Sequence, residues 1–178
     1  MKSLRLVLTV VFLTGFAVAA SAADPVIFIV RHAEKAASAG PRAGAANPAG
    51  HPMMADNPPL SPAGEARAKK LAEALRSADI HTIYTSEYLR TRQTAAPLAQ
   101  ALKLQPIMAA ARDTDALLQQ LRQAKGNVLV VSHADLIPVI LKGLGVKDDV
   151  TIGDNEWDSL FVVIRPASGE PTFVHLHY

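Results

Sequence analysis

The chain has 178 residues, 49% of them apolar, which suits one domain with a buried core and excludes a disordered polymer. The first 23 residues carry Lys2 and Arg5 and no acid, so the formal charge of +2 belongs to them. The remainder holds 16 basic residues (two fewer than the 18 of the whole chain) against 16 acidic, a balance with no general pull on nucleic acid or anionic lipid. The absence of cysteine excludes disulfides, thiolate metal sites and a cysteine nucleophile.

Met1 to Arg5 is a short basic leader, and Leu6 to Ala20 is an apolar run too short for a comfortable membrane span. Ala20-Ser21-Ala22 places small residues where a signal peptidase reads, with cleavage after Ala22 or Ala23. Residues 1–22 are therefore expected to be a signal peptide and 23–178 one folded domain, periplasmic or secreted, with no stable membrane insertion after cleavage.

Val26 to Val30 is a continuous β-branched run, the pattern of a strand buried on both faces. It stops at Arg31-His32-Ala33-Glu34-Lys35. Residues 36–59, dense in Ala, Gly, Pro and Asn, show no period and read as a long surface loop, a lid or binding loop. Ser61 then caps a helix with Pro62 at its first position. Glu65 is placed to close a capping box or favour the positive helix end, and Ala68, Leu71, Ala72 and Leu75 form the apolar stripe. A strand follows over Thr82–Thr85, then a helix from about Glu87 to Leu102 with Leu98 and Leu102 inward. Pro97 predicts a kink or early stop in that helix. A short helix over Asp113–Gln123, with Leu117, Leu118 and Leu121 inward, is predicted to end on Gly126.

Val128–Val131 is the second strongly buried strand and runs into Ser132-His133-Ala134-Asp135. A helix through Ile140 and Leu141 to Gly143 and two closing strands, Leu160–Ile164 and Thr172–Leu176, complete the chain. The alternation predicts an α/β single-domain three-layer sandwich, with a mostly parallel central sheet and helices on both faces.

Ligands of open α/β sheets bind beyond the carboxyl ends of the strands. Two buried strands here end in histidine, His32 and His133, and a third ends near Ser86 and Arg90. A histidine after a strand is ordinarily a surface or satisfied residue, and Arg90 and Arg92 alone would be solvated helix charges. Convergence of the strand ends would instead make a pocket of two His and two Arg. That set suits phosphate, whose oxygens match the guanidinium fork.

At these residues the chain resembles the histidine phosphatase superfamily, the phosphoglycerate-mutase-like group, in its small bacterial branch (branch 1). The resemblance rests on Val30-Arg31-His32-Ala33-Glu34, Leu60 to Gly64, Thr85 to Ala95 and Val130-Val131-Ser132-His133, in that order. It implies a phosphatase hydrolysing phosphomonoesters, with His32 attacking as neutral imidazole to become phosphohistidine and water then hydrolysing it. It implies Arg31 and Arg90 as the phosphate clamp, with His133 as the second pocket histidine. Arg90 is chosen over Arg92 because it lies four residues after Ser86 and four before Thr94. The partner implied is a small phosphorylated substrate, with no nucleic acid and no metal or other cofactor.

The sequence departs from the family pattern twice. Ala33 stands where Gly is usual. The family's mid-chain glutamate acid has no clear match between Ala95 and Asn127. Asp135, near the pocket by position, is the first candidate for the proton donor, and the cap of the following helix is its alternative role. Glu34, Asp113 and Asp115 are further candidates. A phosphoglycerate-mutase-like phosphotransferase and a non-catalytic phosphate-binding module are the rival readings. Elsewhere, His175 and His177 share a strand face and could ligate a metal, but a polar terminal strand is the better reading without a third ligand. Trp157 and Tyr88 could stack, with ordinary packing favoured. Asp148-Asp149 reads as a solvated turn.

Overall fold

The computed structural model describes residues 24–37, 57–166 and 168–178. The predicted signal peptide and most of the predicted 36–59 loop lie outside them. Among the described residues six strands form one sheet: β1 (Val26–Arg31), β2 (Ile80–Thr85), β3 (Ile107–Met108), β4 (Asn127–Ser132), β5 (Ser159–Ile164) and β6 (Thr172–His177). Their order is β3-β2-β4-β1-β5-β6, parallel from β3 to β1 and antiparallel beyond. The sheet is therefore mixed, parallel from the β3 edge through β1 and antiparallel toward the β6 edge.

Four helices among the described residues cover it: α1 (Pro62–Leu75), α2 (Leu89–Leu102), α3 (Thr114–Gln123) and α4 (Ile137–Gly143). Strand alternation divides the core. Ile27, Ile29, Val128, Val130, Phe161 and Val163 meet the leucines of α3 and the apolar side of α4. Val30, Leu129, Val131 and Leu160 face the opposite way, onto Leu71 and Leu75 of α1 and Leu98 of α2. The expected three layers are thus present. No described helix is long and apolar enough to cross a membrane.

Local chemistry sets the helix ends. Ser61 caps α1, its Oγ accepting from Gly64 N at 3.1 Å. The Ser61 N–H donates to Glu34 O, so the expected Glu65 capping box does not form. Helix α2 starts at Leu89, later than the sequence pattern suggests, because Tyr88 is still extended; Leu89 N–H is satisfied by Asn57 Oδ1 at 2.8 Å. Pro97 does not stop α2, which continues to Leu102 and closes on Lys103 in the left-handed conformation. Burial of Ala95, Leu98 and Ala99 outweighs the backbone bond that proline removes, a cost of about 3 kcal/mol in an unsupported helix. Leu102 is partly buried. Helix α3 ends on Ala124 rather than Gly126; a Cβ on Gly126 would lie 2.6 Å from the His81 ring, so close approach accounts for that glycine. The short edge strand β3 has no period for a sequence pattern to reveal.

Register aligns the ends of β1, β2 and β4. Arg31 pairs with Ser132, and Thr85 with Val131. His32, Ser86 and His133 each follow at the next positions along their strands, and His32 N–H extends the ladder to Ser132 O at 2.9 Å.

Candidate active site

His32 and His133 are 6% and 7% exposed, with ring centroids 5.4 Å apart. His32 Nδ1 lies 2.8 Å from its neighbour's carbonyl, Ala33 O. A carbonyl only accepts, so Nδ1 carries the hydrogen and Nε2 keeps its lone pair. Burial, aided by the charges of Arg90 and Arg31, lowers the His32 pKa to about 4 against the opposing pull of the Ala33 carbonyl. The imidazole is therefore neutral at neutral pH, the form that can act as a nucleophile.

His133 is also lowered to about 4, by burial first and Arg90 second, while Asp135 and Glu87 oppose the shift. Its Nε2 sits 2.9 Å from Ser86 Oγ, which in turn lies 3.0 Å from Thr91 Oγ1. Thr91 donates to the Tyr88 carbonyl at 2.8 Å. Thr94 performs a matching task one turn later: its hydroxyl accepts from Ala33 N–H at 2.9 Å and donates to Arg90 O at 2.8 Å. The Ser86–Thr94 segment thus ties α2 to both histidine-bearing strand ends.

The guanidinium of Arg31 stacks on Trp157, 3.6 Å from the ring centroid, and that of Arg90 on Tyr88 at 4.2 Å. Trp157 and Tyr88 therefore serve the two arginines separately, a role beyond the ordinary packing favoured from sequence. Arg31 Nη1 donates to the carbonyls of Gly153, Asp154 and Glu156 at 2.9, 3.0 and 3.1 Å. Arg31 Nε and Arg90 Nε are both buried without a hydrogen-bond partner. Buried donors almost always have partners. Both orphaned guanidinium N–H groups are chemically able to donate to an oxyanion.

Asp135 lines an open cavity of about 470 Å³ with Tyr88, Arg90, Arg112 and His133. It is not a helix cap, since α4 starts at Ile137 after Leu136. Other acid candidates are engaged elsewhere. Glu34 takes three hydrogen bonds from Arg67 at 2.7 to 2.9 Å; burial pushes its carboxyl up, but Arg67 outweighs that and holds it below the usual range. Asp113 caps α3, accepting from Ala116 N, and Asp115 lies exposed in its first turn. Arg92 is exposed. Asp149 pairs with Lys142 on the surface.

Among the described residues no group of three His, Cys, Asp or Glu could hold a metal ion. His175 instead bonds Ser159 Oγ at 2.9 Å, and His177 pairs with Asp158 at 3.3 Å. The 153–156 turn that grips Arg31 carries no motif and was not visible in the sequence. The lone Trp157 was its only signal.

Residues 27–113 match the family model described as histidine phosphatase superfamily (branch 1). No curated protein matches the sequence. Among solved structures, the protein histidine phosphatase SixA complexed with tungstate is similar at 20% identity and TM-score 0.60, covering 85% of this chain and 96% of that one. Phosphoserine phosphatase from Entamoeba histolytica in complex with phosphoserine is similar at 13% identity and TM-score 0.59, over 84% and 95% of the two chains. Phosphoglycerate mutase from Bacillus anthracis gives 15% identity and TM-score 0.61, over 87% and 94%.

Proposed function

We propose that this chain is a member of the histidine phosphatase superfamily, branch 1, whose family model matches residues 27–113, and that it is an exported phosphatase hydrolysing small phosphomonoesters through phosphohistidine on His32. The observation that carries this reading is the pair of buried, unpartnered Nε donors of Arg31 and Arg90 beside the unprotonated Nε2 of His32. With Nη1 of Arg31 bound to the turn carbonyls, the Nε–Nη2 edge is the one left to grip phosphate oxygens in a bidentate manner.

The reaction then proceeds in two balanced steps. His32 Nε2 attacks phosphorus and the bond to the leaving oxygen breaks, with Asp135, in its acid form, giving that oxygen a proton. Water next attacks the phosphohistidine, the P–N bond breaks, and the water proton goes to Asp135. Inorganic phosphate leaves and His32 is again neutral. Arg31, Arg90 and His133 stabilise charge on the equatorial oxygens in both steps.

The test is hydrolysis of an aryl phosphate and an alkyl phosphate in EDTA, using protein recovered from the extracytoplasmic fraction and its mass checked for cleavage after Ala22 or Ala23. Arg90→Ala should lower kcat/KM about a hundred-fold or more, and His32→Ala should abolish turnover. Asp135→Asn should lower kcat about a hundred-fold on the alkyl ester and little on the aryl ester, which needs no proton. Equal small losses on both esters would remove Asp135 from the acid role. Full activity in His32→Ala would remove the reading itself.

A further inference from the structure

Arg31 is held from behind by a turn, and the turn is held by a chain of side chains that the proposed reaction does not use. The Glu156 carboxylate folds back to accept Gly153 N–H at 3.1 Å, while Glu156 N–H donates to Gly153 O at 3.0 Å. That closure turns the carbonyls of 153, 154 and 156 onto one nitrogen, Arg31 Nη1. The same carboxylate accepts a hydrogen bond from Ser159 Oγ. That bond, with the one from Gly153 N–H, holds Glu156 below its ordinary pKa and so ionised.

The direction of the chain follows from the chemistry. A carboxylate only accepts, so the single Ser159 hydrogen points at Glu156. Ser159 Oγ is then left to accept, and the atom 2.9 Å away is His175 Nε2, which must donate. His175 is fixed in place by stacking on Phe161 at 4.4 Å and by His177 at 4.8 Å. The backbone register sets Phe161 opposite His175 and Ser159 opposite His177, so the edge strand β6 delivers the imidazole. Ser159 itself is 1% exposed, which makes its hydrogen bonds costly to leave unmade.

We propose that Glu156, Ser159 and His175 are positioning residues that orient Arg31 through the 153–156 turn, with Trp157 as the face on which the guanidinium rests. The proposal rests on the reading of Arg31 as part of the phosphate clamp. It gives the terminal strand a task in phosphate binding. His175 acts as a fixed hydrogen-bond donor there, and its partner is a hydroxyl rather than a metal.

Trp157 is the sole tryptophan of the chain and lies 5.5 Å from the His32 ring as well as under Arg31, so its emission reports the clamp directly. The experiment measures Trp157 emission with and without inorganic phosphate, phosphate affinity, and kcat and KM on an aryl phosphate. The proteins are wild type, His175→Ala, His175→Gln and Ser159→Ala. Glutamine keeps an N–H donor and alanine does not. His175→Ala and Ser159→Ala should shift the emission of the free protein and weaken phosphate binding and kcat/KM about ten-fold or more. His175→Gln should restore both to within about two-fold. Ser159→Ala decides the matter if His175→Ala does not fold.

Lowered melting temperature with unchanged emission, phosphate affinity and kcat/KM would overturn the proposal, as would equal losses in His175→Gln and His175→Ala. A wild type that binds phosphate without turnover sinks the phosphatase reading alone, and the ranking of phosphate affinities still decides this one. A wild type blind to phosphate overturns both.

Discussion

His32 and His133 are kept uncharged by the same two forces, burial and the neighbouring guanidinium groups, and this links the site to stability. An unfolded histidine titrates near 6.5, whereas these two titrate at about 4 when folded. Between those values the unfolded chain binds more protons, so stability falls as pH drops from about 6.5 and levels off below about 4. Carboxylates held below their ordinary range, such as Glu34, add their losses only as the pH falls into and below the ordinary carboxylate range. Thermal melts from pH 7.5 to 5 should therefore show a steady fall that His32→Asn and His133→Asn each flatten. Phosphate should offset the fall, since a bound anion favours the charged imidazole. A melting temperature independent of pH across that window would contradict the burial of neutral imidazoles. At this scale the sequence reading placed Arg31, His32, Arg90 and His133 beside strand ends that do converge. It could not see that Trp157 lies under Arg31, because contact between residues so far apart in the chain leaves no local pattern, nor that Tyr88 lies under Arg90 two positions on, because spacing alone does not set the direction of a ring on extended backbone.

The start of α1 shows how an element locks a catalytic segment. Ser61-Pro62-Ala63-Gly64 docks against the peptide of Glu34, two residues past His32. Ser61 N–H donates to Glu34 O, and an added Cβ on Gly64 would sit 2.2 Å from that oxygen and 3.0 Å from Glu34 N. Both obstacles are backbone and cannot swing aside. Gly64→Ala would gain about 1 kcal/mol of helix propensity, but forcing the contact costs about 1–3 kcal/mol. A net loss of melting temperature together with a fall in kcat/KM is expected, because the displaced peptide carries the His32 loop. A more stable, fully active Gly64→Ala protein would show that α1 does not set the position of His32. The Ser-Pro cap of this helix was readable from sequence. The reason for its glycine was not, since the constraint comes from a strand end thirty positions earlier in the chain. The same limit explains Pro97: its local effect was legible, while the packing of Leu98 and Ala99 that overrides it is tertiary.

Across the whole molecule, the parallel register of β2, β4 and β1 is what brings the separate motifs to one rim. Arg31 level with Ser132 and Thr85 level with Val131 align the histidines without any long-range sequence signal. The α/β class, both central strands and the layers on each face were legible because two-sided burial writes a continuous apolar run. The antiparallel edge and the 153–156 turn were not, since pairing partners and carbonyl directions are properties of the assembled sheet. Every part of the proposed chemistry depends on that alignment delivering phosphorus to one nitrogen, His32 Nε2. The most direct measurement is a rapid acid-free quench of the protein with labelled aryl phosphate, followed by peptide mapping. Acid-labile, alkali-stable phosphate on His32, formed at least as fast as steady-state turnover and missing from His32→Ala, is the result the account requires. Turnover with no labelled histidine, or label on another residue, would contradict it.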